Sequence, residues 1–190
     1  MSDPIRRRME LHAEMAQGLL EPELVAAVLA VGEAIVDAYR RGNKVVLFGN
    51  GGSAVDAQHI AAELTGRFLL DRAPLSALAL VDNIASLTAI SNDYDYAQVF
   101  ARQLGGLASA GDVAVGLSTS GTSENVLEAM RAARRQGLVT VAITGPAGDR
   151  LAELVDLVVR IPSPEPPQIQ EGTMAVCHAV CEHVERELFG

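Results

Sequence analysis

His59 and Glu63 stand four residues apart in a stretch with helical patterning, so their side chains share one face of a helix. An imidazole and a carboxylate at that spacing form a natural half of a zinc site; as a plain exposed pair they would add only about a few tenths of a kcal/mol to the helix. Far along the chain, Gln170 and His178 offer an amide oxygen and a second imidazole, eight residues apart. Eight residues of helix rise about 12 Å, too far for easy ligation of one ion from a single straight helix. Either Gln170 sits ahead of the regular helix or one of the two serves a neighbouring subunit's site. Local sequence alone does not pair them with His59 and Glu63. Cys177 and Cys181, with His178 and His183, are also metal-ligand types, but the two thiols read more readily as small apolar residues on a core face. His12 has no partner that the sequence identifies.

Two loops carry a different chemistry. Gly49-Asn50-Gly51-Gly52-Ser53 leads straight into the His59 helix. Glycines there let backbone N–H groups approach a ligand, and a helix N-terminus favours negative charge. With Ala54 the stretch also meets the loose dinucleotide fingerprint, but the next acid at a strand end, Asp82, comes later than the roughly 20-residue offset of a ribose-binding acid. The second loop, Ser118-Thr119-Ser120-Gly121-Thr122-Ser123, precedes another helix. Ser123 is a sound N-cap, which explains one hydroxyl and not five. Hydroxyls and backbone N–H groups clustered at a helix start can hold a phosphate without a lysine, and phosphate binding is the favoured reading of this loop.

The elements that must position these residues follow from periodicity. Residues 4–41 are helical, as two helices joined near Glu21-Pro22, with a stop at Gly42-Asn43. Short apolar runs at Lys44–Phe48, Leu75–Val81, Val113–Leu117, Leu138–Ile143 and Val155–Ile161 read as strands buried on both faces. Helical segments alternate with them near Ala54–Arg67, Ile84–Ile90, Ala97–Ala108, Glu124–Gln136 and Asp149–Leu154. A proline-rich loop, Pro162–Pro167, precedes a last helix from about Ile169 to Leu188. The expectation is an α/β fold, a doubly wound five-stranded parallel sheet with N-terminal helices (residues 1–42) and a core plus long final helix (43–190), in one domain spanning 1–190. Ligands in such folds sit beyond the carboxyl ends of the strands, which is where both loops lie.

Composition narrows the class. With 190 residues, 49% of them hydrophobic, the chain can build a substantial core. A net charge of −9 disfavours nucleic acid and anionic membranes as partners. Met1–Arg8 has no apolar h-region behind its arginines, and the most apolar stretch, Leu24–Ile35, is interrupted by Gly32 and Glu33 and is too short for a membrane span. Two cysteines four apart on a helix suit a reducing compartment better than a disulfide. A cytoplasmic protein without a membrane anchor is expected.

Taken together, Gly49-Asn50-Gly51-Gly52-Ser53-Ala54, Asp56-Ala57-Gln58-His59, Glu63-Leu64-Thr65-Gly66-Arg67, Ser91-Asn92-Asp93-Tyr94, Leu117-Ser118-Thr119-Ser120-Gly121 and Ile169-Gln170-Glu171 closely resemble the phosphoheptose isomerases of the sugar isomerase (SIS) superfamily, in order and over essentially the whole chain. The resemblance implies a flavodoxin-like SIS domain that isomerises sedoheptulose 7-phosphate to a glycero-manno-heptose 7-phosphate, an aldose–ketose isomerisation feeding heptose units of bacterial surface glycans such as lipopolysaccharide. It also implies a homotetramer with sites at subunit interfaces. By position it makes Asn50, Gly51, Gly52, Ser53, Ser118, Thr119, Ser120 and Ser123 sugar-phosphate contacts and Asn92 and Asp93 sugar-hydroxyl contacts. His59, Glu63, Gln170 and His178 become the set for one Zn2+ per subunit, with Glu63 as base, His178 as acid, and Glu63 and Gln170 also touching substrate. Thr173 departs from the pattern, since many relatives carry histidine there. A non-catalytic SIS-domain regulator, of the kind that associates with the bacterial replication initiator, is the rival; such proteins lack the equivalents of Glu63 and His178.

Overall fold

The computed structural model describes residues 3–190; Met1 and Ser2, which open the segment read as lacking a secretory signal, lie outside the described residues. Two helices, α1 (Pro4–Gly18) and α2 (Pro22–Arg40), precede β1 (Val45–Gly49) and α3 (Gly52–Thr65). Then come β2 (Ala77–Ala79), α4 (Ile84–Asp93), a 3-10 turn (Tyr96–Gln98), α5 (Val99–Leu107), β3 (Val113–Ser118) and α6 (Glu124–Arg135). β4 (Val139–Thr144), α7 (Asp149–Ala152), β5 (Leu157–Arg160) and α8 (Pro166–Phe189) complete the order. Pro4, Pro22 and Pro166 each sit in a first helical turn, where a missing N–H costs nothing.

All five strands are parallel, in the order β2-β1-β3-β4-β5. The strands are mostly apolar because both faces are covered; Ser118, Thr140, Thr144 and Arg160 are the exceptions. Val45, Leu47, Val113, Val115, Leu117, Val141 and Ile143 face a core closed by α2, α3 and α8. Their neighbours Val46, Phe48, Ala114 and Ala142 face a second core closed by α5, α6 and α7, with Phe100, Leu104, Met130 and Leu151. Among the described residues no helix is long and apolar enough to cross a membrane.

Several boundaries shift from expectation, α4 running on to Asp93 and β5 narrowing to Leu157–Arg160, and three of the differences bear on the site. β2 pairs over three residues only, because Leu75 N–H bonds to the Leu64 carbonyl of α3 and Asp82 N–H turns back to Ala79. The helix expected at Ala97–Ala108 is split into the 3-10 turn and α5, the turn being capped by Asp95, which accepts from Ala97 N at 2.7 Å. α8 starts at Pro166 rather than Ile169, so Gln170 lies inside the regular helix and not ahead of it.

The chain leaves β1 towards β2 on one side and returns to β3 on the other. This reversal parts the loops after β1 and β3, opening a crevice of the kind where ligands bind in such sheets.

Candidate active site

Both unusual loops meet in that crevice. Gly51 turns the chain at φ 56° into α3, a left-handed conformation that glycine adopts without strain. The Asn50 and Asn125 side chains exchange two hydrogen bonds of 2.8 Å, tying the end of β1 to the start of α6. The Tyr96 hydroxyl donates to Asn50 Oδ1 at 2.9 Å. Neither Asn125 nor Tyr96 was singled out by sequence reading; no local pattern marks a contact across 75 or 46 residues.

In the second loop the Ser118 hydroxyl is buried, accepts from Gly121 N at 3.2 Å and lies 3.3 Å from the Ser123 hydroxyl. Ser123 does occupy the N-cap position of α6, but its side chain makes no capping bond; it turns to Ser118 instead. Ser120 Oγ accepts from Thr122 N at 3.2 Å and Thr122 Oγ1 at 3.0 Å. Gly121, at φ 64°, packs so closely on Gly148 that a side chain there would strike the backbone. Thr119 and Ser120 border a cavity of about 250 Å³ floored by Ile169 of α8. A hydroxyl-rich turn at a helix start, with its cap hydroxyl not spent on the helix, suits an anion.

The ligand-type side chains come together from α3 and α8. His59 Nε2 lies 3.0 Å from His178 Nε2 and 3.4 Å from Glu63 Oε1, and ligand atoms of all three fall within 4.8 Å of one another. Metal bonds of about 2.0–2.1 Å to nitrogen and oxygen place tetrahedral ligand atoms at comparable separations, and two histidines with a glutamate are a donor set of catalytic zinc sites. The residues present fit the ion. All three come from one subunit, so His178 needs no neighbouring chain to reach His59. Gln170 packs its amide against Gly52, at the start of the helix that carries His59 and Glu63. α3 and α8 therefore run side by side in the same direction, with Gln170 beside Gly52 and His178 beside His59.

Beyond Glu63 the turn after α3 is held by a buried ion pair. Arg72 Nε donates to Glu185 Oε1 at 2.8 Å, and both side chains are 1% exposed. The same carboxylate accepts from the backbone N–H groups of Phe68, Leu69 and Leu70 at 2.8 to 2.9 Å. Burial alone would raise the Glu185 pKa, but these N–H donors and Arg72 hold it below the usual glutamate range. Phe68 stacks on the His178 ring, centroids 5.2 Å apart and planes at 22°.

Other sequence candidates lie apart from this cluster. Asn92 and Asp93 are exposed at the end of α4, bonded to each other at 2.9 Å, and Asp93 borders a cleft of about 540 Å³ between α4, α5 and β2. Their segment reaches the glycine loop only through Tyr96 among the described hydrogen bonds. Cys177 and Cys181 are free, buried core thiols; burial pushes the Cys181 pKa up to about 12. His183 pairs with Glu33 at 3.1 Å and His12 with Glu171 at 2.7 Å, the partner the sequence could not name.

The chain is similar to known proteins in sequence and in overall fold. The SIS domain family matches residues 13–145. A phosphoheptose isomerase of Geobacter sp. (strain M21) is 46% identical over 189 residues, covering 100% of this chain and 98% of that protein. One from Roseiflexus sp. (strain RS-1) is 52% identical over 162 residues, covering 85% of this chain and 82% of the relative. The solved structure of a phosphoheptose isomerase from Francisella tularensis superposes with a TM-score of 0.94 at 32% identity, covering 98% of this chain and 100% of that one.

Proposed function

The chain belongs to the phosphoheptose isomerases of the SIS domain family and is an isomerase of a sugar phosphate, and from that premise we propose that it converts sedoheptulose 7-phosphate to D-glycero-D-manno-heptose 7-phosphate by proton transfer through an enediolate. The observation that carries the reading is the convergence of Glu63, His59 and His178 from two helices beside an anion-ready crevice. Glu63, whose side chain is 23% exposed and so within reach of a ligand, takes the proton from the carbon beside the carbonyl. His178, held between Phe68 and His59, returns a proton to the enediolate. His59, Glu63 and His178 of one subunit, joined by Gln170 of a neighbouring one, would hold a Zn2+ ion, which would supply Lewis-acid polarisation of the carbonyl and hydroxyl oxygens. Asn50, Gly51, Gly52, Ser53, Ser118, Thr119, Ser120 and Ser123 bind the phosphate and sugar backbone through N–H and hydroxyl donors at the starts of α3 and α6. Asn92 and Asp93 reach sugar hydroxyls.

In this reading residues 1–190 form one SIS domain, assembled as a homotetramer in the cytoplasm, and the reaction opens the supply of activated heptose for surface glycans such as lipopolysaccharide. A net charge of −9 supports a function without nucleic acid or membrane. The test is NMR of sedoheptulose 7-phosphate in deuterated buffer, with chelator and then with added zinc. Aldose formation with deuterium entering beside the carbonyl, lost on chelation and restored by zinc, is expected; no exchange and no product under any metal condition refutes it.

A further inference from the structure

α3 carries His59 and Glu63, α8 carries His178, and the three atoms meet only if the two helices hold a fixed offset. Burial of Ile60, Leu64, Cys177 and Cys181 in the shared core is favourable but non-directional. The Arg72–Glu185 pair supplies what such contacts lack, which is direction.

Glu185 lies seven residues beyond His178, about two turns along the same face of α8. Its carboxylate gathers three successive backbone N–H groups of the turn after α3. Arg72 spreads its guanidinium over the open end of α3, donating to the carbonyls of Glu63 at 2.9 Å and Leu64 at 2.8 Å. Those last carbonyls have no partner within a helix. The pair thus grips the backbone of Glu63 itself, and it presents Phe68 flat against His178. As a stability device it is a poor choice, since apolar residues of similar volume join helices as well or better.

We propose that Arg72 and Glu185 are positioning residues that set the geometry of the His59–Glu63–His178 centre, Arg72 through the Glu63 carbonyl and Glu185 through the ring of Phe68 on His178. The proposal rests on reading those three side chains as a metal and acid–base centre.

Co2+ affinity of the full chain, read from its visible absorption and by competition with Zn2+, tests it in the wild type and in Phe68→Leu, Phe68→Tyr and Glu185→Gln. Circular dichroism and thermal unfolding first establish that each variant is folded at the titration temperature. The Leu and Gln variants should bind Co2+ about 10- to 100-fold more weakly with altered absorption bands, the usual range for groups that orient metal ligands. Phe68→Tyr keeps the stacked ring and should match the wild type, a rescue that a general loss of packing does not predict. If the wild type binds Co2+ and either folded variant binds it as tightly, the positioning inference is overturned and the metal reading survives. If the wild type binds neither ion, both fall. Should Glu185→Gln fail to fold, Arg72→Lys decides, because it keeps the charge beside Glu185 but loses the fork that reaches the Glu63 and Leu64 carbonyls; wild-type Co2+ affinity in that folded variant overturns the inference.

Discussion

Gly52→Ala separates the stability of the fold from the arrangement of the site. A Cβ on Gly52 would strike Nε2 of Gln170 and lie 2.7 Å from Cδ and 3.1 Å from Oε1. Optimal contact is about 3.5–4.0 Å, so the amide must retreat by at least about 1 Å. The obstacle is the tip of a flexible side chain, so the backbone need not move. Gly52 is the first residue of α3, so the preference of a helix interior for alanine, about 0.5–1 kcal/mol, is an upper limit on what the substitution gains. The midpoint of thermal unfolding should therefore stay within about 4 °C of wild type, since 1 kcal/mol shifts a chain of this size by about 2–4 °C. Activity should respond differently, because a 1 Å misplacement of a positioned group costs about 100-fold. Sedoheptulose 7-phosphate turnover followed by NMR gives kcat/KM for Gly52→Ala, Gln170→Ala and the double variant. If the loss runs through Gln170, Gly52→Ala costs nearly nothing in the Gln170→Ala background. Equal losses in both backgrounds, or full activity in the single variant, would refute the reasoning.

Two further outcomes are expected. Glu63→Gln keeps the volume of the side chain but removes the proposed base, so kcat should fall by about 100- to 10,000-fold; near wild-type turnover would take the base role from Glu63. Acid unfolding should show two carboxylates held below their usual range. Glu185 is one; at Asp112 burial alone would raise the pKa, but hydrogen bonds from Lys44, Ser109 and Asn43 outweigh it. Their contribution is complete above the pKa of the unfolded groups, about pH 4, and is lost as pH falls through that value towards the lower folded pKa. Urea titrations should show stability dropping below about pH 4, with a shallower drop in Asp112→Asn, and an unchanged slope in that variant would count against the linkage.

The sequence made the alternation of strands and helices legible because strands buried on both faces read as nearly continuous apolar runs and the helices between them keep a 3.6-residue period. Element ends were less legible. β2 is shorter than its apolar run because its flanks bond to α3 and to a turn, a tertiary choice invisible in Leu75–Val81. In the site, His59 and Glu63 were readable as a pair from their spacing, whereas His178 joins them only through the packing of α3 on α8. Gln170 posed a distance problem on paper; it is inside the helix, and the parallel course of α3 lets Gly52 meet it one stretch before His59 meets His178. Arg72 and Glu185 carried no signal at all, being 113 residues apart and of types usually found on the surface.

The side-by-side run of α3 and α8 bears on how the protein is made. Every strand, residues 45–160, leaves the ribosome before α8 does. Until Ile169, Val176, Val180 and Val184 arrive, one face of the sheet lacks its cover. His178 arrives on that same helix, so a nascent chain cannot complete the ion-binding set while its core is open. Closure of the apolar face and convergence of His59, Glu63 and His178 therefore both wait for α8, and a chain in which the three side chains meet is one whose sheet is covered on that face.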